Sequence, residues 1–211
     1  MPGDEERRPT SHELSAGRPW DESYRDGPAP WDTGRAQPAV VELAADGAFT
    51  GPVLDAGCGS GDNALHLAAA GFRVLGVDVA ETALALARGK AARLGLDAEF
   101  AYGDALRLDR LDRAFATVLD CGLFHTFDAA ERAEYARGLA SVTVPGGHLV
   151  LLCFSDAEPG TWGPHRIRRA DIEAAFTTGW RIHSIGPERL ETHVAPEPSA
   201  AWLARIERVG P

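Results

Sequence analysis

Val53-Leu-Asp-Ala-Gly-Cys-Gly-Ser-Gly-Asp-Asn63 is the stretch that decides the fold. Two apolar residues run into an acid, and glycines follow at 57, 59 and 61. A helical pattern opens at Ala64. The stretch reads as a short buried strand, a tight turn and a helix N-terminus. Glycine suits such a turn because it accepts positive φ and has no Cβ to keep a ligand off the backbone.

Outward from this turn, strands and helices alternate. Expected strands are Val53 to Asp55, Phe72 to Asp78, Ala98 to Tyr102, Phe115 to Asp120 and His148 to Phe154. Expected helices are Val40 to Ala45 (leading into the core and ending near Gly47), Asn63 to Ala70, Glu81 to Leu94 with Gly95 as a stop, and Ala129 to Val142. This spacing implies right-handed crossovers and a parallel sheet. A Gly/Pro-rich loop, a helix from Arg169 to Phe176 and two closing strands, Trp180 to Ile185 and Ala201 to Val209, complete the chain. The last two lack a helix between them and read as an antiparallel hairpin. The expected class is therefore α/β, a Rossmann-like doubly wound sheet of seven mainly parallel strands. The division predicted is a disordered tail over 1–17, an aromatic cap over 18–46 and the sheet domain over 47–211.

The 211 residues suit one well-cored domain. Apolar and charged fractions of 45% and 25% are those of a globular protein, and the net charge of -10 argues against a nucleic-acid partner. Cys58, Cys121 and Cys153 are an odd, scattered set that reads as reduced thiols. No signal pattern or spanning apolar run is visible, so a cytoplasmic protein with no membrane partner is expected. No His/Cys spacing suggests a metal.

In an open α/β sheet a ligand sits beyond the carboxyl ends of the strands. Asp78 ends the second strand, 21 positions after Gly57, where a carboxylate suits a ribose diol. Asp104 ends the third strand region and suits an adenine amino group. Both acids also fit a plain strand-end turn. A dinucleotide is disfavoured because the glycines are spaced G-x-G-x-G and Asp55 precedes them. An acid there repels phosphate and favours a cation. The ligand that matches is an adenosyl group carrying positive charge.

Asp55-Ala-Gly-Cys-Gly-Ser-Gly61, Asp78, Gly103-Asp104-Ala105 and Asp120-Cys-Gly-Leu-Phe-His125 together resemble the class I S-adenosylmethionine-dependent methyltransferases. Pro30-Trp31-Asp32-Thr33-Gly34-Arg35, with Trp20 upstream, is similar to the thiopurine, halide/thiol and tellurite-resistance branch. The resemblance implies S-adenosyl-L-methionine as cofactor. It places Asp55, Gly57, Gly59, Asp78, Val79, Asp104, Ala105, Asp120 and Cys121 around that cofactor, with Trp20 and Trp31 near its sulfonium end. Cys121 departs from the thiopurine pattern, which has arginine there.

Methyl transfer from a sulfonium is an in-line displacement, to which the protein contributes alignment and exclusion of water. His125 is the candidate base, or else a loop-packing residue at the cofactor edge. Trp31, His125, Trp162 and His165 are candidate acceptor contacts, because loops on this face carry specificity. His66 and His148 read as structural, His12, His183 and His193 as tail or edge residues, and Cys121 as pocket wall. The expected acceptor is a small molecule, a soft nucleophile such as a thiol, thiopurine or halide. An oxygen or nitrogen of a phenolic or heterocyclic compound is the alternative, and a non-catalytic adenosyl-binding protein or a nicotinamide reductase are rivals from other classes. Oligomeric state is not legible.

Overall fold

The computed structural model describes residues 7–161, 163–194 and 196–210. Seven strands form one sheet: β1 (Val53–Ala56), β2 (Val74–Asp78), β3 (Ala98–Tyr102), β4 (Phe115–Cys121), β5 (Thr143–Phe154), β6 (Trp180–Leu190) and β7 (Ser199–Arg208). Their order is β3-β2-β1-β4-β5-β7-β6. The first five strands are parallel, and β7 runs antiparallel between β5 and β6. The helices are α1 (Ser11–Ala16), α2 (Pro38–Ala45), α3 (Asp62–Ala69), α4 (Glu81–Leu94), α5 (Ala129–Val142) and α6 (Arg169–Ala175).

The central strands are apolar almost without interruption because both sheet faces are covered. Successive side chains go to opposite faces. Leu54, Leu75, Val118 and Leu149 enter one core with Tyr135 and Leu139 of α5 and Ile172 of α6. Val53, Val74, Leu119 and Val150 enter the other, with Leu65 of α3, Leu84 of α4 and Val40 of α2. All five parallel strands bring their carboxyl ends to one edge, and β6, parallel to β5, brings Leu190 there too.

Two strands run longer than their sequence suggests. β6 continues through Gly186-Pro187, where a turn is the natural reading. It is an edge strand, so a proline that cannot donate costs the sheet little. β5 starts at Thr143 and carries Pro145-Gly146-Gly147 within it, with a register shift against β4 between Phe115 and Thr117.

The N-terminal tail is more ordered than its composition suggests. Residues 11–16, placed in a disordered tail, form α1. Thr10 and Glu13 make a reciprocal capping box there, and Gly17 closes the helix in the left-handed region at φ 68°. The helix expected over Val40 to Ala45 is α2, which starts two residues earlier at Pro38 and buries Val40 in the core. The first six residues of that tail lie outside the described residues. No helix among the described residues is long and apolar enough to cross a membrane.

Candidate active site

A cavity of about 570 Å³ opens over the carboxyl edge of the sheet. Its floor on one side is the glycine turn. Gly57, Gly59 and Gly61 all have positive φ, at 71°, 53° and 84°. A Cβ on Gly59 would stand 2.7 Å from the Tyr24 hydroxyl, and one on Gly61 2.8 Å from the Ala87 Cβ. Glycine is therefore demanded by conformation and by space. Lys90, the chain's one lysine, donates to Ser60 Oγ at 2.7 Å and to both Asp62 oxygens at 2.8 and 2.9 Å, tying α4 to the turn.

Asp78, half-buried at the end of β2, holds the turn from the other side. Its Oδ2 accepts from Gly59 N and its Oδ1 from Ala80 N, both at 2.8 Å. Each carboxylate oxygen keeps a lone pair for a further donor. Burial raises its pKa against the pull of those backbone N–H groups. Asp104 caps the segment after β3 by accepting from Leu106 N at 2.9 Å. Val79, Ala105 and Cys121 complete this half of the cavity wall.

Asp55 and Asp120 are elsewhere, which corrects their assignment to the cofactor. Each is still within its strand, 1% and 0% exposed, and neither lines the cavity. Strand alternation sends Asp55 toward α3 and Asp120 toward α5. Asp120 Oδ1 accepts from Leu123 N and Phe124 N at 3.0 and 3.2 Å, shaping the loop after β4. Burial first of all pushes both carboxyls up to about 7. Their Oδ2 atoms have no hydrogen-bond partner among the described residues. Asp120 thus supports the loop from beneath, and Asp55 lies under the start of α3 beside the Ala64 backbone.

The other half of the cavity is aromatic. Trp20 and Trp31 meet edge to face with centroids 5.5 Å apart, and Trp31 Nε1 donates to the Tyr24 hydroxyl at 2.9 Å. Phe127, Phe154, Leu190 and Val194 face them. The aromatic segment is strapped down at several points. Asp21 accepts from the N–H and hydroxyl of Thr82 at the start of α4. Gln37 exchanges hydrogen bonds with the Glu191 backbone beyond β6, and His193 N donates to Pro30 O at 2.7 Å.

His125 lines the cavity, yet it does not offer a base. Phe154 N–H donates to its Nδ1 at 2.9 Å, which assigns the ring proton to Nε2, beside Gly122. Burial, helped by nearby His12, Arg166 and His165, drives its pKa down to about 3. The ring is a neutral donor. His165 contributes its main chain: its N–H donates to His125 O at 2.9 Å, while its side chain is exposed and off the cavity wall. Trp162 lies outside the described residues.

Sequence reasoning missed α1. His12 lines the cavity and stacks on Trp20 at 4.9 Å with planes 11° apart. Arg7 is bound to Glu13, and Trp20 N donates to the same carboxylate at 3.2 Å. Thr10-x-x-Glu13, a capping-box spacing, was the available signal.

A family model described as "Methyltransferase domain" matches residues 53–147. The 2-heptyl-1-hydroxyquinolin-4(1H)-one methyltransferase of Mycobacteroides abscessus is 35% identical over 76% of this chain and 72% of its own. Thiocyanate methyltransferase 1 of Brassica oleracea is 26% identical over 87% of this chain and 83% of its own. A solved structure reported under "Conversion of a Disulfide Bond into a Thioacetal Group during Echinomycin Biosynthesis" is 36% identical, with TM-score 0.78 over 86% of this chain and 85% of that one.

The chain belongs to the S-adenosylmethionine-dependent methyltransferases.

The residues present fit that methyl donor. A glycine cradle leaves backbone bare, and Asp78 and Asp104 line the cavity beside it with carboxylate oxygens that can accept from a ligand. The lysine nearest the turn is already committed to Asp62. This half suits a cationic adenosyl group and disfavours a pyrophosphate. Among the described residues no cluster of His, Cys, Asp and Glu could hold a metal ion.

Proposed function

We propose that this methyltransferase acts on a planar heteroaromatic acceptor through a ring-borne oxygen or sulfur. The observation that carries the reading is the aromatic half of the cavity, where Trp20, Trp31, Phe127 and Phe154 surround the space beyond Cys121 and His125. Aromatic walls suit flat, polarisable ligands and give little to a bare inorganic anion. The relative that acts on a hydroxyquinolone supports the same class.

S-adenosylmethionine supplies an electrophilic methyl on a sulfonium sulfur. In the proposed arrangement Asp78 holds the ribose hydroxyls and Asp104 and Ala105 the adenine, while Gly57 and Gly59 border the methionine part. Trp20, Trp31 and Tyr24 exclude water from the reacting end, and the neutral His125 donates from Nε2 toward acceptor or loop. Alignment of this kind supplies much of the acceleration in a displacement that needs no covalent enzyme intermediate.

A small thiol or thiocyanate is the second reading, favoured by the commitment of His125 Nδ1, since a thiolate reacts without a base, and by the thiocyanate methyltransferase relative. Methyl transfer to 1-hydroxyquinolin-4(1H)-one, a thiophenol, a thiopurine, thiocyanate and iodide, read as S-adenosylhomocysteine release, separates the two. The proposal predicts kcat/KM at least tenfold higher for the ring compounds. Preference for thiocyanate or iodide would refute it.

A further inference from the structure

We propose that His12, on the N-terminal helix α1, is the catalytic base that takes the acceptor's proton. This rests on the heteroaromatic reading above and names the group that serves it.

An acceptor bearing an O–H or N–OH must lose its proton as it is methylated, and a lone pair must face it. Most polar groups on the wall are committed. His125 Nδ1 accepts from Phe154 N, and Asp62 is bound by Lys90. Asp32 accepts from Gly34 N, and Asp78 and Asp104 brace backbone beside the glycine turn; their oxygens keep lone pairs, but a carboxylate is by its ordinary pKa a weaker base than an imidazole. Burial pushes the Cys58 and Cys121 thiols up, so neither is a thiolate. His12 differs. Its imidazole lines the cavity, lies flat against Trp20, and makes no hydrogen bond among the described residues.

The helix that carries it is held firmly. Ser11 N and Oγ both donate to Glu131 at the start of α5, and Glu13 is gripped by Arg7, Thr10 and Trp20. The groups facing the ring are Glu13 and Arg18 from its own segment, His125 from the loop after β4 and His165 from the loop after β5. Burial first, then His165 and Arg18, lower its pKa below 6.5 against the opposing pull of Glu13, so the ring is neutral at pH 7 and its lone pair is available.

In the step proposed, the acceptor O–H bond breaks as its proton passes to the free imidazole nitrogen. The acceptor oxygen gains the methyl and the donor sulfonium leaves as a neutral thioether. The imidazolium then returns its proton to water at the cavity mouth.

The test uses wild type, His12→Gln and His12→Asn with 1-hydroxyquinolin-4(1H)-one. Its absorbance bound to the enzyme with S-adenosylhomocysteine reports its protonation state without turnover. Wild type should hold the anion at a pH where the free compound is neutral, and both variants should hold the neutral form. Their kcat/KM should fall by roughly 100-fold or more and lose the acid limb of the wild-type pH profile, a fall at least tenfold larger than for thiocyanate, which has no proton to give. Equal spectra in wild type and variants, or variant kcat/KM within threefold of wild type, would overturn the proposal. Loss of S-adenosylhomocysteine binding in both variants would make His12 a structural prop and overturn it too. Failure of wild type to bind the hydroxyquinolone would instead refute the heteroaromatic reading, and the base proposal with it.

Discussion

Asp78 ends β2 and Asp120 lies one residue before the end of β4, but one faces the cavity and the other is enclosed. The motif spacing made both legible as acids at the carboxyl edge. What spacing does not carry is which way the last strand residue points and how deeply α5 covers it. Asp120 Oδ1 braces Leu123 and Phe124 while Oδ2 is unpartnered, with Tyr135 beside it. A folded-state pKa near 7, above the unfolded carboxylate value of about 3.9, means the native state holds a proton that the unfolded chain has released. The stability this group contributes is present below the unfolded pKa and lost as pH rises through about 7. Asp120→Asn keeps the acceptor oxygen and removes the ionisation. It is expected to flatten the fall in melting temperature between about pH 5 and 8 and to melt higher than wild type at pH 8, by roughly 2–4 °C per kcal/mol relieved. Parallel pH profiles for the two proteins would show that Asp120 does not titrate there. His125 illustrates the same limit: a histidine after the fourth strand is visible in sequence, but the Phe154 N–H that occupies its lone pair comes from a neighbouring strand.

At the scale of elements, the alternation of strands and helices was readable because each parallel strand is a short apolar run closed by turn residues. Two things were not. β6 runs through Gly186-Pro187 because β7 supplies partners on one side and the other side is free, and only the sheet order shows this. α1 has six residues and no apolar period of its own, so its stability comes from capping and docking, since short helices are marginal alone. The docking residue is Glu131, 4% exposed, which accepts from Ser11 N, Ser11 Oγ and Asp128 N. Glu131→Ala takes the acceptor from the part-buried Ser11 N–H and hydroxyl and removes the α5 capping box, while Asp128 N keeps its bond to Ser11 Oγ. The expected cost is about 1–3 kcal/mol. Amide exchange should show α1 losing protection well before the sheet does. Equal protection of 11–16 in wild type and variant would mean that α1 is held by other contacts.

Across the whole molecule, the cavity is bounded by parts distant in sequence: α1 and the aromatic segment above, the glycine turn and β2 below, and the loops after β4, β5 and β6 at the side. The wall of the glycine turn, Asp78 and Asp104 was legible because its parts follow one another along the strands. The aromatic half was legible only in fragments, as aromatics and histidines, because the segment that assembles it is fastened to α4, α5 and the Glu191 region by long-range hydrogen bonds. The central proposal is that the glycine-turn wall holds the methyl donor. Calorimetric titration of wild type and Asp78→Ala with S-adenosylhomocysteine tests it most directly. The expected result is one site in wild type and an affinity lower by roughly 100-fold in the variant, the effect of about 3 kcal/mol from charge-assisted hydrogen bonds. Equal affinities in two folded proteins would contradict it.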